Sequence, residues 1–246
     1  MKETLLSCAT FTGAIEPPLA FLDFHRNFLL GTENLKARDQ VIDFLGTIAA
    51  DDAIKVLLVT GSPESNGQEE FVAFFSRFYE RNRDITLIHR MFNVISQLVL
   101  TLATMKTFVI YVNSGSVLAS HLNIGLACDY RILAEDTTIQ NPCIDLGIVS
   151  KGGAGFFMPR LIGPARTAEV MLSSEDISGR EAWDIGLVNE VVPADELAGT
   201  ATKRAMAFAE KPAGCLTAVK RFINFNARDL QKYLEMENET LIHLVR

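Results

Sequence analysis

The chain has 246 residues, 48% of them apolar and 22% charged, with a net charge of −7. This composition belongs to a globular domain and excludes a disordered tail, a collagen-like rod or a disulfide-dense miniprotein. The acidic balance disfavours nucleic-acid phosphates as partners.

Four cysteines, Cys8, Cys128, Cys143 and Cys215, lie far apart with no CxxC pair. They fit reduced thiols in a cytoplasmic protein better than a disulfide framework or a zinc site, and no metal is expected. The N-terminal stretch has one Lys followed at once by Glu3, and its apolar residues are broken by Ser, Thr and Gly. It does not read as a signal peptide.

After Pro17-Pro18, Leu19 to Phe24 reads as extended chain. Asn34 is placed to cap a helix from Leu35 to about Ala50, with Val41, Ile42, Phe44, Leu45 and Ile48 on one face. Ile54 to Gly61 is apolar on consecutive residues and closes on glycine, as a strand buried on both faces does. Ser62 to Gly67 is loop by composition. From about Phe71 to Met105 the pattern is helical with a break near Asp84. Its most apolar window, Val94 to Met105, is too short to span ~30 Å of hydrocarbon, so no membrane is expected.

Thr107 to Asn113 is the next buried strand and ends in Ser114-Gly115. A short helix from about His121 to Cys128 leads into a strand at Tyr130 to Leu133. Gly152-Gly153-Ala154-Gly155 opens a helix ending near Gly163, and from Asp195 onward the signals are helical only. The expected architecture is an α/β core over residues 1–194 followed by a helical region over 195–246. Arg221, Arg228, Lys232, Glu235, Glu237 and Glu239 read as a solvated helical face. Trp183 and the sixteen Phe read as core.

Three segments carry a family likeness: FVIYVNSGSVLASHLNIGLACDYRILAED, NPCIDLGIVSKGGAGFFMPRLIGPARTAEVML and GREAWDIGLVNEVVP. With IKVLLVTG upstream they resemble the crotonase, or enoyl-CoA hydratase/isomerase, superfamily. The resemblance implies a spiral of ββα units with C-terminal helices that drive homotrimers or hexamers. It implies an acyl-CoA or carrier-bound thioester as ligand, with coenzyme A part of the substrate and no separate cofactor. It also implies two backbone N–H groups that hold the thioester enolate, since fixed donors stabilise charge that develops on the carbonyl oxygen.

By this resemblance one donor falls on Ser120, at a helix start where the dipole favours an anion. Ser120 also reads as an N-cap with Asn123 at N3, and both roles are compatible. The other donor falls near Glu70 or Phe71, where Gly67-Gln68-Glu69-Glu70-Phe71 replaces the family's A-G-A-D-L loop. The family's two hydrating glutamates fall on Asn123 and Cys143. Asparagine takes no proton at neutral pH, so the ordinary two-glutamate hydration is not expected.

The replacements have alternative readings. Asp145 and Cys143 flank Ile144 in what reads as extended chain, which would turn both to one side. Asp145 is then a general base or a solvated loop acid. Cys143 is a nucleophile if its thiolate is stabilised, or a small hydrophobe. His121 stands where the family has glycine, as a base or as pocket filler. Lys151 lies where some relatives carry an extra acid, and either anchors an acyl carboxylate, polarises an oxygen or is solvated.

Gly115, Gly152 and Gly153 read as substrate contacts, the last two by letting the acyl group approach closely. The sequence stops at Leu244-Val245-Arg246, short of a last helix implied by the resemblance, so an open acyl pocket is expected. The function expected is that of a lyase, isomerase or hydrolase on a thioester; the alternative is a non-catalytic acyl-CoA-binding or assembly subunit. RNA binding has no lysine-rich helix to support it.

Overall fold

A computed structural model describes residues 3–26, 28–61, 67–224 and 227–245. The chain opens with an antiparallel meander, β1 (Glu3–Ser7), β2 (Phe11–Glu16) and β3 (Leu19–Phe24). Then come α1 (Phe28–Gly31), α2 (Leu35–Ala50), β4 (Val56–Thr60), α3 (Gly67–Glu80), α4 (Ile85–Thr104), β5 (Phe108–Asn113), β6 (Ser116–Leu118) and α5 (Ala119–Leu126). β7 (Tyr130–Ala134), β8 (Thr138–Gln140), α6 (Ala154–Leu172), β9 (Ile177–Ser178), α7 (Gly179–Asp184) and β10 (Glu190–Val192) follow. The chain ends in α8 (Leu197–Ala209), α9 (Ala213–Ile223) and α10 (Ala227–Val245). The mixed α/β fold and its C-terminal helices agree with expectation.

The main sheet runs β1-β2-β3-β4-β5-β7-β10 and is parallel from β3 onward. Its parallel strands are apolar on consecutive residues because both faces are covered. Leu57, Val59, Val109 and Tyr111 join the core under α2 and α4, while Val56, Leu58, Ile110 and Val112 face α8. On α8, Ala201, Ala205 and Ala209 repeat every four residues, and these small side chains seat the helix on the sheet. A second small sheet, β6-β8-β9, lies beside it.

Several boundaries differ from the sequence reading. The expected loop Ser62 to Asn66 lies outside the described residues, and Gly67 already belongs to α3. The short helix begins at Ala119 rather than His121. At Gly163 (φ 77°, ψ 161°) α6 kinks and then continues to Leu172. The apolar window at Val94 belongs to a helix of 20 residues, α4, which by length and apolarity alone is able to cross a membrane. Here it packs against α2, α3, α5 and α10. Trp183 is 42% and Phe222 78% exposed, so neither is core.

The C-terminal reading changes most. α10 is present as a long helix packed on α4, and Leu241 and Val245 line a cavity beneath it. α10 thus supplies part of that cavity's wall. Glu237, expected on a wet face, is buried there, while Arg221, Lys232, Glu235 and Glu239 are exposed; the side chain of Arg228 lies outside the described residues.

Candidate functional site

Two helix starts meet at the centre of the molecule. Gly67, first residue of α3, presses on Leu118, the residue before α5, so closely that a Cβ on it would lie 2.6 Å from the Leu118 nitrogen. Only a residue without a side chain permits that approach. Both starts present backbone N–H groups that precede the first intrahelical acceptors, where the helix dipole favours negative charge. Ser120 is the second residue of α5, placing its N–H among them. At α3, the Gln68 N–H donates to Gln140 Oε1 at 3.1 Å.

Ser120 is not the N-cap. That position belongs to Leu118, which makes no side-chain cap, and Ser120 Oγ is buried with no hydrogen-bond partner among the described residues. Ser120 lines a cavity of about 30 Å³ together with Leu29, Phe71, Met91, Cys143 and Lys151, among others. That volume holds about one water. Its walls are mainly aliphatic and aromatic, supplied by α3, α4 and α10.

Asn123 lies one turn further along α5, fully buried. Its Nδ2 donates to Ser150 Oγ and to the Lys151 carbonyl, each at 3.1 Å. Gly152 fits against it, since a Cβ there would lie 2.8 Å from Asn123 Cβ, and its φ of 125° independently demands glycine. The glycines at 152 and 153 thus admit Asn123 and the tight start of α6. Their N–H groups are taken by Glu237, with Gly153 N to Oε1 at 2.9 Å and Gly152 N to Oε2 at 3.3 Å. The same carboxylate is hydrogen-bonded to Lys151 Nζ. Lys151 is accordingly buried in an ion pair rather than solvated.

The structure separates Cys143 from Asp145. Ile144–Leu146 is a 3₁₀ turn rather than extended chain, so the two side chains do not share a side. Cys143 points into the cavity and burial pushes its thiol up to about 12. Asp145 is exposed and does not line the cavity. Gly115 (φ 65°) lies in the turn between β5 and β6, where its carbonyl accepts from the Thr138 N–H.

Glu70 and His121 come together behind the Ser120 wall. Glu70 Oε1 accepts from the Leu29 N–H at 2.5 Å, and Oε2 stands 3.7 Å from His121 Nε2. His121 packs edge-on to Phe28 and stacks with Phe24. Burial pulls its pKa below the usual histidine value and outweighs the opposing pull of Glu70. Among the described residues no group of three His, Cys, Asp or Glu side chains is placed to hold a metal.

Sequence reasoning missed Glu237, although a signal was present. Leu230, Leu234, Glu237 and Leu241 are spaced four, three and four along α10, so the glutamate stands in the buried stripe.

Comparison with known proteins agrees with this frame. The chain is 30% identical over 183 residues to a crotonyl-CoA hydratase of Syntrophomonas wolfei, covering 74% of this chain and 68% of the relative. It is 29% identical over 214 residues to a short-chain-enoyl-CoA hydratase of Clostridium acetobutylicum, covering 85% and 78%. The fold superposes on an enoyl-CoA hydratase structure from Bacillus halodurans with a TM-score of 0.82 at 19% identity, over 97% of this chain and 96% of that one. Residues 19–245 match the family described as enoyl-CoA hydratase/isomerase. With the parallel sheet, the paired helix starts and nearly the whole chain in register with that family, the chain belongs to the enoyl-CoA hydratase/isomerase family.

Proposed function

We propose that this protein acts on an acyl-CoA or carrier-bound acyl thioester, and holds its enolate with backbone N–H groups at the starts of α3 and α5. The observation that carries this reading is the contact of Gly67 with Leu118 beside a cavity lined by Ser120. A thioester oxygen gathers charge as its α-carbon loses a proton, and preorganised N–H donors in a dry site stabilise it. Family membership supports the substrate class, and two relatives are named as hydratases of crotonyl-CoA and short-chain enoyl-CoA.

Two-glutamate hydration does not fit the cavity. By the family resemblance Asn123 and Cys143 take the places of the two hydrating glutamates, and among the described residues no Asp or Glu lines the cavity. The reactions that remain are enolate reactions without water addition by paired carboxylates: isomerisation, decarboxylation or C–C hydrolysis. At about 30 Å³ the cavity is smaller than an acyl chain, so its walls must move apart to admit one. Assembly into trimers belongs to the same reading: α9 leaves Val219, Phe222 and Ile223 largely exposed, an apolar patch that a second copy would cover.

The test is binding by calorimetry and turnover across a panel of acetyl-, butyryl-, crotonyl-, acetoacetyl- and malonyl-CoA. The expected result is binding with turnover of at least one of them, and no hydration of crotonyl-CoA. Absence of both binding and turnover across the panel sinks the reading. Binding without turnover selects the second reading, a non-catalytic thioester-binding subunit, which the absence of Asp and Glu from the described cavity lining and the side-chain ties of Asn123 favour.

A further inference from the structure

Among the described residues the cavity wall contains a single cation. Lys151 lies there, its ammonium hydrogen-bonded to Glu237 of α10 and 5.9 Å from the centre of the Phe92 ring. The titratable groups at the cavity are few. Cys143 lines it as a thiol held protonated by burial, Glu237 stands behind Lys151, and α3 and α4 present apolar side chains there. Glu237 is itself fixed by the N–H groups of Gly152 and Gly153. Both side chains of the pair are buried, with 3% of Lys151 and 9% of Glu237 exposed.

We propose that Lys151 Nζ is the proton-transfer group of this site and that Glu237 is its positioning partner. The proposal rests on the thioester reading given above. In its amine form Lys151 takes a proton from the substrate α-carbon. The C–H bond breaks, its electron pair becomes the enolate held at the helix starts, and the proton becomes the third N–H of the ammonium. In the reverse direction the ammonium returns a proton to carbon and the enolate collapses to the thioester. Glu237 compensates the ammonium charge that the step creates. Burial draws Lys151 below the ordinary lysine range while Glu237 opposes that shift, which brings the amine form closer to working pH than on an exposed lysine.

The experiment follows α-proton exchange of butyryl-CoA in D2O by mass spectrometry, with binding measured separately by calorimetry. Lys151→Arg is the deciding variant, because arginine keeps the charge and the ion pair but gives up no proton. The folded Lys151→Arg protein should bind butyryl-CoA within a few-fold of wild type and lose exchange by about 100-fold or more, in the range of general acid–base catalysis. In Glu237→Gln, the pH at which exchange reaches half its maximum should move downward, since the charge that raises the lysine is gone. Exchange in Lys151→Arg at the wild-type rate, or wild-type binding with no exchange, overturns the proposal and leaves the thioester reading standing. Failure of wild type to bind any thioester of the panel overturns this proposal together with the thioester reading.

Discussion

Lys220 of α9 places its ammonium 2.8 Å from the Asp129 carboxylate while also donating to the Leu102 and Thr107 carbonyls at 2.9 and 3.0 Å. The same carboxylate oxygen accepts the Val109 N–H at 2.7 Å. One buried pair therefore ties α9 to the end of α4, to β5 and to the turn before β7. Lys220→Met leaves Asp129 buried without its cation, and breaking such a pair costs about 3–5 kcal/mol. Urea unfolding followed by circular dichroism should show a midpoint lowered to match. Lys220→Met combined with Asp129→Asn should recover part of the loss, because the amide oxygen still accepts the Val109 N–H and no charge is left buried; an equally unstable double variant would show that the buried charge is not its cause.

His121 makes stability depend on pH. Burial depresses its folded-state pKa below the ordinary 6.5, so the unfolded chain binds the proton more readily. The stability it contributes is complete above 6.5 and drains away as pH falls through that value towards the depressed one. Between pH 7.5 and 5.5, wild type should lose more stability than His121→Phe, whose ring fits among Phe24 and Phe28. Equal losses in the two proteins would remove His121 from the acid response.

Local signals were legible in the sequence where they governed the structure. Asn34 caps α2 with its side chain on the Lys36 and Ala37 N–H groups, and Asp84 caps α4 at the expected break. The two-sided apolar runs gave the central strands, because consecutive burial is written in consecutive residues. The strands β6, β8 and β9 are two or three residues long and carry no periodicity to read. The start of α5 has no capping side chain, so Ser120 drew the cap that Leu118 fills with backbone alone. The partner of Lys151 lies 86 residues away on another helix, and no local pattern joins the two.

Thiol chemistry separates the four cysteines. Cys215 is exposed, Cys8 half-buried, and burial pushes both Cys128 and Cys143 up to about 12. Only thiolate reacts readily, so a disulfide reagent at pH 8 should modify Cys215 fast, Cys8 slowly, and Cys128 and Cys143 only on unfolding. Mass mapping of labelled peptides reads the order. Rapid labelling of Cys143 in the folded protein would show that its buried thiol reaches solvent readily and would overturn this order.

Asn123 is held as a donor, and that fixes what the site tolerates. Its Nδ2 supplies both the Ser150 and the Lys151 bonds, while Oδ1 has no partner among the described residues. Asn123→Asp puts a carboxylate oxygen against the Lys151 carbonyl, losing that bond and burying a charge in its place. The cost should be at least the ~1–3 kcal/mol of an unsatisfied buried group, visible as a lowered urea midpoint. For the same reason Asn123→Glu should not create hydration of crotonyl-CoA, even paired with Cys143→Glu. The carboxylate is longer, loses both donor bonds and meets Gly152, whose Cα packs directly on Asn123. A stable Asn123→Glu/Cys143→Glu protein that hydrates crotonyl-CoA would show that only two side chains, and not the packing around them, set this site apart from a two-glutamate hydratase.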